Sequence, residues 1–91
     1  MVITLEEVKL YLRVEGDAED TLITSFIFTA EELCEGILRY SLPELSVIPE
    51  TVKQAVLYAV AQFYEERDKV DMKAVLEVMK NLLFGYRKES W

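Results

Sequence analysis

The chain has 91 residues, 52% of them apolar, and its 17 acidic side chains against 10 basic ones give a net charge of −7. That length makes one domain, able to bury roughly 60–70% of the surface its extended chain would expose, and the apolar fraction argues against disorder. The acid excess disfavours nucleic-acid binding, which draws its affinity from neutralising phosphates with Lys and Arg; the lack of histidine removes the commonest general base and zinc ligand; the single cysteine, Cys34, allows no intrachain disulfide.

Thr4 and Glu7 fit a capping box, and Ile3 and Val8 are placed to form the hydrophobic staple across it. A first helix is predicted over residues 5–12, LEEVKLYL, with Leu5, Val8, Tyr11 and Leu12 on one face. VEGD, residues 14–17, breaks it at Gly16. Asp17 is the expected N-cap of a second helix over about 18–40, with Glu19 and Asp20 in the first turn, where carboxylates suit the helix dipole. Its apolar stripe is Leu22, Ile23, Phe26, Ile27, Ala30, Leu33, Cys34, Ile37 and Leu38. Gly36 within it costs about 1 kcal/mol relative to Ala and marks either a close crossing or an early end to the regular helix.

SLPELSVIPE, residues 41–50, is the one real linker, and Pro49 suits the first position of a third helix over about 50–67. Val52, Ala55, Val56, Ala59, Val60 and Phe63 form its stripe, widened by Leu57, Tyr58, Ala61 and Tyr64. A helix apolar on most sides is the central one of a small domain. Asp71 caps a fourth helix over about 72–84 or beyond, with Met72, Val75, Leu76, Met79, Leu82 and Leu83 on its face. No strand alternation, repeat or low-complexity tract interrupts the pattern. The expected fold is all-α: a small four-helix, bundle-like single domain over 1–91.

The acidic clusters Glu6–Glu7, Glu31–Glu32–Glu35 and Glu65–Glu66 read as solvated faces and helix N-terminal acids. A di-metal bundle needs Glu-x-x-His pairs, and EGDAEDTL lacks the register of a calcium loop. Cys34, inside an apolar stripe and beside Glu31 and Glu35, reads as a buried structural thiol. No phosphate loop, Ser-His pairing or Cys-x-x-Cys is present, so neither enzyme nor cofactor nor metal site is expected. No apolar run approaches the roughly 20 residues of a membrane span, and MVITLEEVK lacks the pattern of a signal peptide, so the chain is expected to stay in the cytoplasm where it is made.

Phe28 lies opposite the stripe of the second helix, on a face with Thr24, Glu31, Glu35 and Arg39, and Phe84 points away from the stripe of the fourth. The chain then ends NLLFGYRKESW, although terminal residues are ordinarily polar. Aromatics and Arg are enriched at interface cores, so Phe28, Phe84, Tyr86, Arg87 and Trp91 are candidate contacts between chains; the competing possibility is a tail folded onto its own core.

ITLEEVKLYLRVEGDAEDTLITSFIFTAEELCE, residues 3–35, resembles the opening of the phage head-tail connector family, also called head-tail adaptor or DNA-packaging proteins. Members begin with a threonine-capped LEEVK helix, followed by an acid-rich turn and a long second helix. IPETVKQAVLYAVAQFYEERD, residues 48–68, and LLFGYR, residues 82–87, are similar to the family's later segments. The likeness rests on the order and spacing of the three pieces. VDMKAVLEVMK, residues 70–80, departs from it as a continuous helical pattern where many members have a Pro/Gly-containing stretch, and Gly85 replaces a usual Pro.

The resemblance implies a structural virion protein of the neck, made in the bacterial host cytoplasm. It implies a ring-shaped homo-oligomer below the portal protein, extending the DNA channel and offering an attachment surface to tail proteins, with DNA passing through unbound. It also implies that the C-terminal segment contacts the portal or a neighbouring subunit. A ring needs two complementary patches on each chain; Phe28 belongs to one, with Lys9, Arg13 or Arg39 opposite. The alternative class is a small acidic helical interaction module or regulator, acting as monomer or dimer.

Overall fold

The computed structural model describes residues 3–39 and 48–86, with Tyr86 described in its backbone only. The described residues form four α-helices and no strand: α1 Leu5–Leu12, α2 Asp20–Leu38, α3 Glu50–Glu65 and α4 Met72–Leu83, followed by a 3-10 turn Phe84–Tyr86. The fold is all-α, as the helical periodicity predicts. The linker stretch 41–47 and the residues Arg87 and Trp91 lie outside the described residues.

α1 has the predicted limits because its signals are local. The Thr4 hydroxyl accepts the Glu7 N–H at 3.1 Å, while the Glu7 carboxylate accepts the Thr4 N–H at 3.0 Å. Both staple residues, Ile3 and Val8, are fully buried. Arg13, at φ 61°, adopts the left-handed conformation that closes the helix, and its N–H reaches the Leu10 and Lys9 carbonyls.

α2 begins later than the sequence predicts. Its N-cap is Glu19 rather than Asp17, and no side chain caps it. The acids here tie α2 to its neighbours instead. Asp20 pairs with Lys9 of α1 at 2.7 Å, and the same ammonium donates to the Gly16 carbonyl, fastening the α1–α2 turn. Glu19 is taken by Tyr64 and Arg67 at the far end of α3. Asp17 contributes only its backbone carbonyl, to the Asp20 N–H. The helix runs through Gly36 to Leu38, and among the described residues nothing lies within 4 Å of where a Cβ on Gly36 would stand. Among the described residues nothing crosses closely at Gly36, and the helix ends two residues beyond it, short of the expected residue 40.

α3 is the central helix. Val52, Ala55, Val56, Ala59, Val60 and Phe63 are buried, and α3 touches each of the other three helices. Pro49 is its N-cap, one position before the predicted site, with its carbonyl accepting from Val52 and Lys53. The helix stops at Glu65, two residues early, where the chain turns through 66–69. Asp71 caps α4 as expected, accepting the Ala74 N–H at 3.1 Å. A single core joins Ile3 and Val8 to Ile23, Ile27, Val56, Val60, Val75 and Met79, among others.

Three stripe residues are left exposed: Tyr11 at 49%, Leu22, and Met72 in the first turn of α4. At 100° per residue Tyr11 stands about 90° from the mean direction of Leu5, Val8 and Leu12, and Leu22 about 120° from that of Ile23, Ile27 and Cys34. The covered arcs are narrower than the apolar patterns. Glu31 is corrected in the opposite sense. It belongs to neither a solvated acidic face nor the outward face of Phe28, because it is buried and its carboxylate accepts the Ile3 N–H at 3.3 Å.

Candidate assembly surfaces

An apolar side chain left in water by a well-packed helix marks a contact surface when it does not stand alone. Two such places stand out among the described residues. On α1, Leu10 is 80% exposed, the highest value for any large apolar side chain among the described residues, and Tyr11 stands beside it. Arg13 follows at the helix end, exposed and in no ion pair among the described residues. The helix beneath is held rigidly by its capping box, by Ile3 and Val8 in the core and by the Lys9–Asp20 pair.

The second place is an open groove where α2 and α3 meet the start of α4. Ser25, Phe26, Thr29, Phe63, Arg67, Val70 and Met72 line it, enclosing about 310 Å³. The Phe26 and Phe63 rings pack at 5.8 Å, tilted by 52°. Beside the groove, the Tyr64 hydroxyl donates to Glu19 at 2.7 Å and the Arg67 guanidinium, 4.8 Å over the Tyr64 ring, donates to the other carboxylate oxygen. The Tyr64 hydrogen bond, with Arg67 second, holds the Glu19 carboxyl below its ordinary value, and Glu19 in turn raises the Tyr64 phenol. The turn beyond, residues 65–71, carries the exposed acids Glu65, Glu66, Asp68 and Asp71 together with Arg67 and Lys69.

Of the residues singled out in the sequence, Phe28 and Phe84 have described side chains, and they lie on separate elements. Phe28 is 57% exposed on the outward face of α2, with Ser25, Thr29 and Glu32 as its exposed neighbours. Phe84 is 69% exposed at the start of the 3-10 turn that Tyr86 ends. No ring contact joins Phe28 to Phe84 among the described residues; the one aromatic pair is Phe26–Phe63. Of the three cations placed opposite Phe28, Lys9 is committed to Asp20 and Gly16, and Arg39 has an interaction of its own, which leaves Arg13. Cys34 is fully buried, and burial, then Glu35 and Glu31, push its thiol up to about 12, so it is a structural group.

Sequence reasoning missed Leu10, although its signal equals that of Phe28: an apolar residue on the polar side of its helix, between Glu6 and Arg13. It also missed the groove and the Glu19–Tyr64–Arg67 cluster, which join residues 45 and 48 positions apart.

A chain with exposed apolar patches on a rigid helical frame fits the business of assembly, and comparison with known proteins names the family. The family model described as phage gp6-like head-tail connector protein matches residues 2–89. The chain belongs to this family. The resemblance carried by the three sequence segments is thereby confirmed, and the match runs through the divergent 70–80 stretch as well. No match was found among curated proteins or solved structures. Head-tail connectors are structural components of the virion neck rather than enzymes. Among the described residues, no helix is long and apolar enough to cross a membrane.

Proposed function

We propose that copies of this connector assemble head-to-tail into a ring below the portal, extending the DNA channel and giving the tail its attachment surface. The observation that carries this reading is the family match over nearly the whole chain. The physical features agree with it. A net charge of −7 lets DNA slide past a wall that releases no counterions and so does not hold it. Outward-facing Phe28 and Phe84 provide apolar contact area on two separate elements.

In this reading the whole of 1–91 is one connector domain made in the bacterial host. Residues 81–91, with Phe84, Tyr86, Arg87 and Trp91, reach the portal or the neighbouring subunit, and Phe28 contributes to the contact between subunits. Light scattering over a wide concentration range, with negative-stain microscopy, tests the assembly. The expected result is a discrete multiple of the 10.6 kDa chain with a central hole, formed alone or on the purified portal. A strict monomer under both conditions would contradict it.

A further inference from the structure

We infer that Leu10 and Tyr11 of one copy seat in the groove between α2, α3 and α4 of the next copy, with Arg13 set against the acidic turn at its rim. This rests on the proposal that copies of the chain assemble side by side. Leu10 is a protruding apolar knob on a helix whose backbone is pinned at both ends, so presenting it costs little ordering entropy. The groove is its concave counterpart, lined chiefly by Phe26, Phe63, Val70 and Met72.

The knob cannot seat in the groove of its own chain. Ile3, at the root of α1, is held by Glu31, whereas Phe26 opens into the groove, and these two positions point about 140° apart round α2. The two patches therefore face different ways, and a contact between them is heterologous, the kind that closes rings.

Charge selects the partner. A chain of net charge −7 repels its own copies, so a contact between them requires a local reversal of sign. Arg13 is an exposed cation beside the knob, in no ion pair among the described residues. The turn beside the groove offers Glu65, Glu66, Asp68 and Asp71, all exposed; of its two cations, Arg67 is taken up by Glu19 and Lys69 stands exposed among the acids, so the turn stays net acidic. Asp71 already spends one carboxylate oxygen on the Ala74 N–H, which leaves Glu65, Glu66 and Asp68 to meet a guanidinium.

The test is directed cross-linking in the full chain. Leu10→Cys protein is mixed with Thr29→Cys protein and oxidised; native Cys34 is fully buried and silent. A disulfide-linked dimer is expected from the mixture and from neither variant alone. The control mixture, Leu10→Cys with Lys80→Cys on the far part of α4, is expected to give none. Leu10→Glu, at a site too exposed to affect folding, is expected to reduce the solution mass to that of a monomer wherever the wild type is assembled. Arg13→Glu is expected to raise the concentration for half-assembly at least tenfold, and more at low salt. Assembly of the wild type with no cross-link above the control, or unchanged assembly by Leu10→Glu, would overturn the inference and leave the ring standing. A wild type that never assembles, alone or on the portal, would overturn both.

Discussion

Replacing Thr4 with Ala probes how firmly α1 is fixed. The helix has eight residues, about 12 Å at 1.5 Å per residue, and only Val8 within it is fully buried. A helix so short is marginal on its own, so its ends must be satisfied. Thr4→Ala removes the acceptor for the Glu7 N–H and leaves the Thr4 N–H bonded to the Glu7 carboxylate. Loss of such a cap costs about 1 kcal/mol, which for a chain of this size lowers Tm by about 4–8 °C. Because the two bonds are reciprocal, Thr4→Ala combined with Glu7→Ala falls short of the sum of the single effects. The carboxyl of Glu7 sits below its ordinary value, chiefly through the Thr4 N–H. Its contribution is therefore complete above the ordinary carboxylate value and disappears as pH falls through the lower folded one. Thermal melts by circular dichroism, at one chain concentration so that assembly does not shift Tm, and repeated toward acid, measure all of this. A Thr4→Ala change below about 1 °C, or strict additivity in the double variant, would refute the reasoning.

Substitutions at three further positions have definite expected outcomes. Phe28→Asp abolishes assembly without changing the monomer's helical content or Tm; an intact ring would remove Phe28 from the interface. Glu31→Ala strands the buried Ile3 N–H and costs about 1–3 kcal/mol in urea unfolding, whereas Glu31→Gln, which keeps an acceptor, costs visibly less. Tyr64→Phe flattens the pH dependence of stability on both sides. On the acid side Glu19 loses the partner that keeps its carboxyl low, so less stability is lost as pH falls through its folded value. On the alkaline side the raised phenol, whose contribution is lost as pH rises through its folded value, is gone.

What could be read in the sequence was what is decided within a turn or two of helix. The capping box of α1, the Asp71 cap of α4 and the central place of α3 follow from neighbours three or four residues apart. The start of α2 does not, because Glu19 is claimed by Tyr64 and Arg67 across the fold rather than by its own helix. Glu31 reads as one of three solvated acids until α1 brings Ile3 to it from 28 residues away. Periodicity gives the direction in which Tyr11 and Leu22 point but not the width of the arc their neighbours cover. The groove exists only because the turn through 66–71 carries Val70 and Met72 back beside Phe26 and Phe63. The family, by contrast, was legible from the order and spacing of whole segments, which no single side chain decides.

The most direct measurement is electron microscopy of lysates from a phage or induced prophage carrying this gene with a nonsense mutation in it. Completed heads and completed tails should accumulate unjoined, and supplying the chain in trans should restore tailed particles. Normal tailed virions in the mutant lysate would contradict a connector at the head–tail junction.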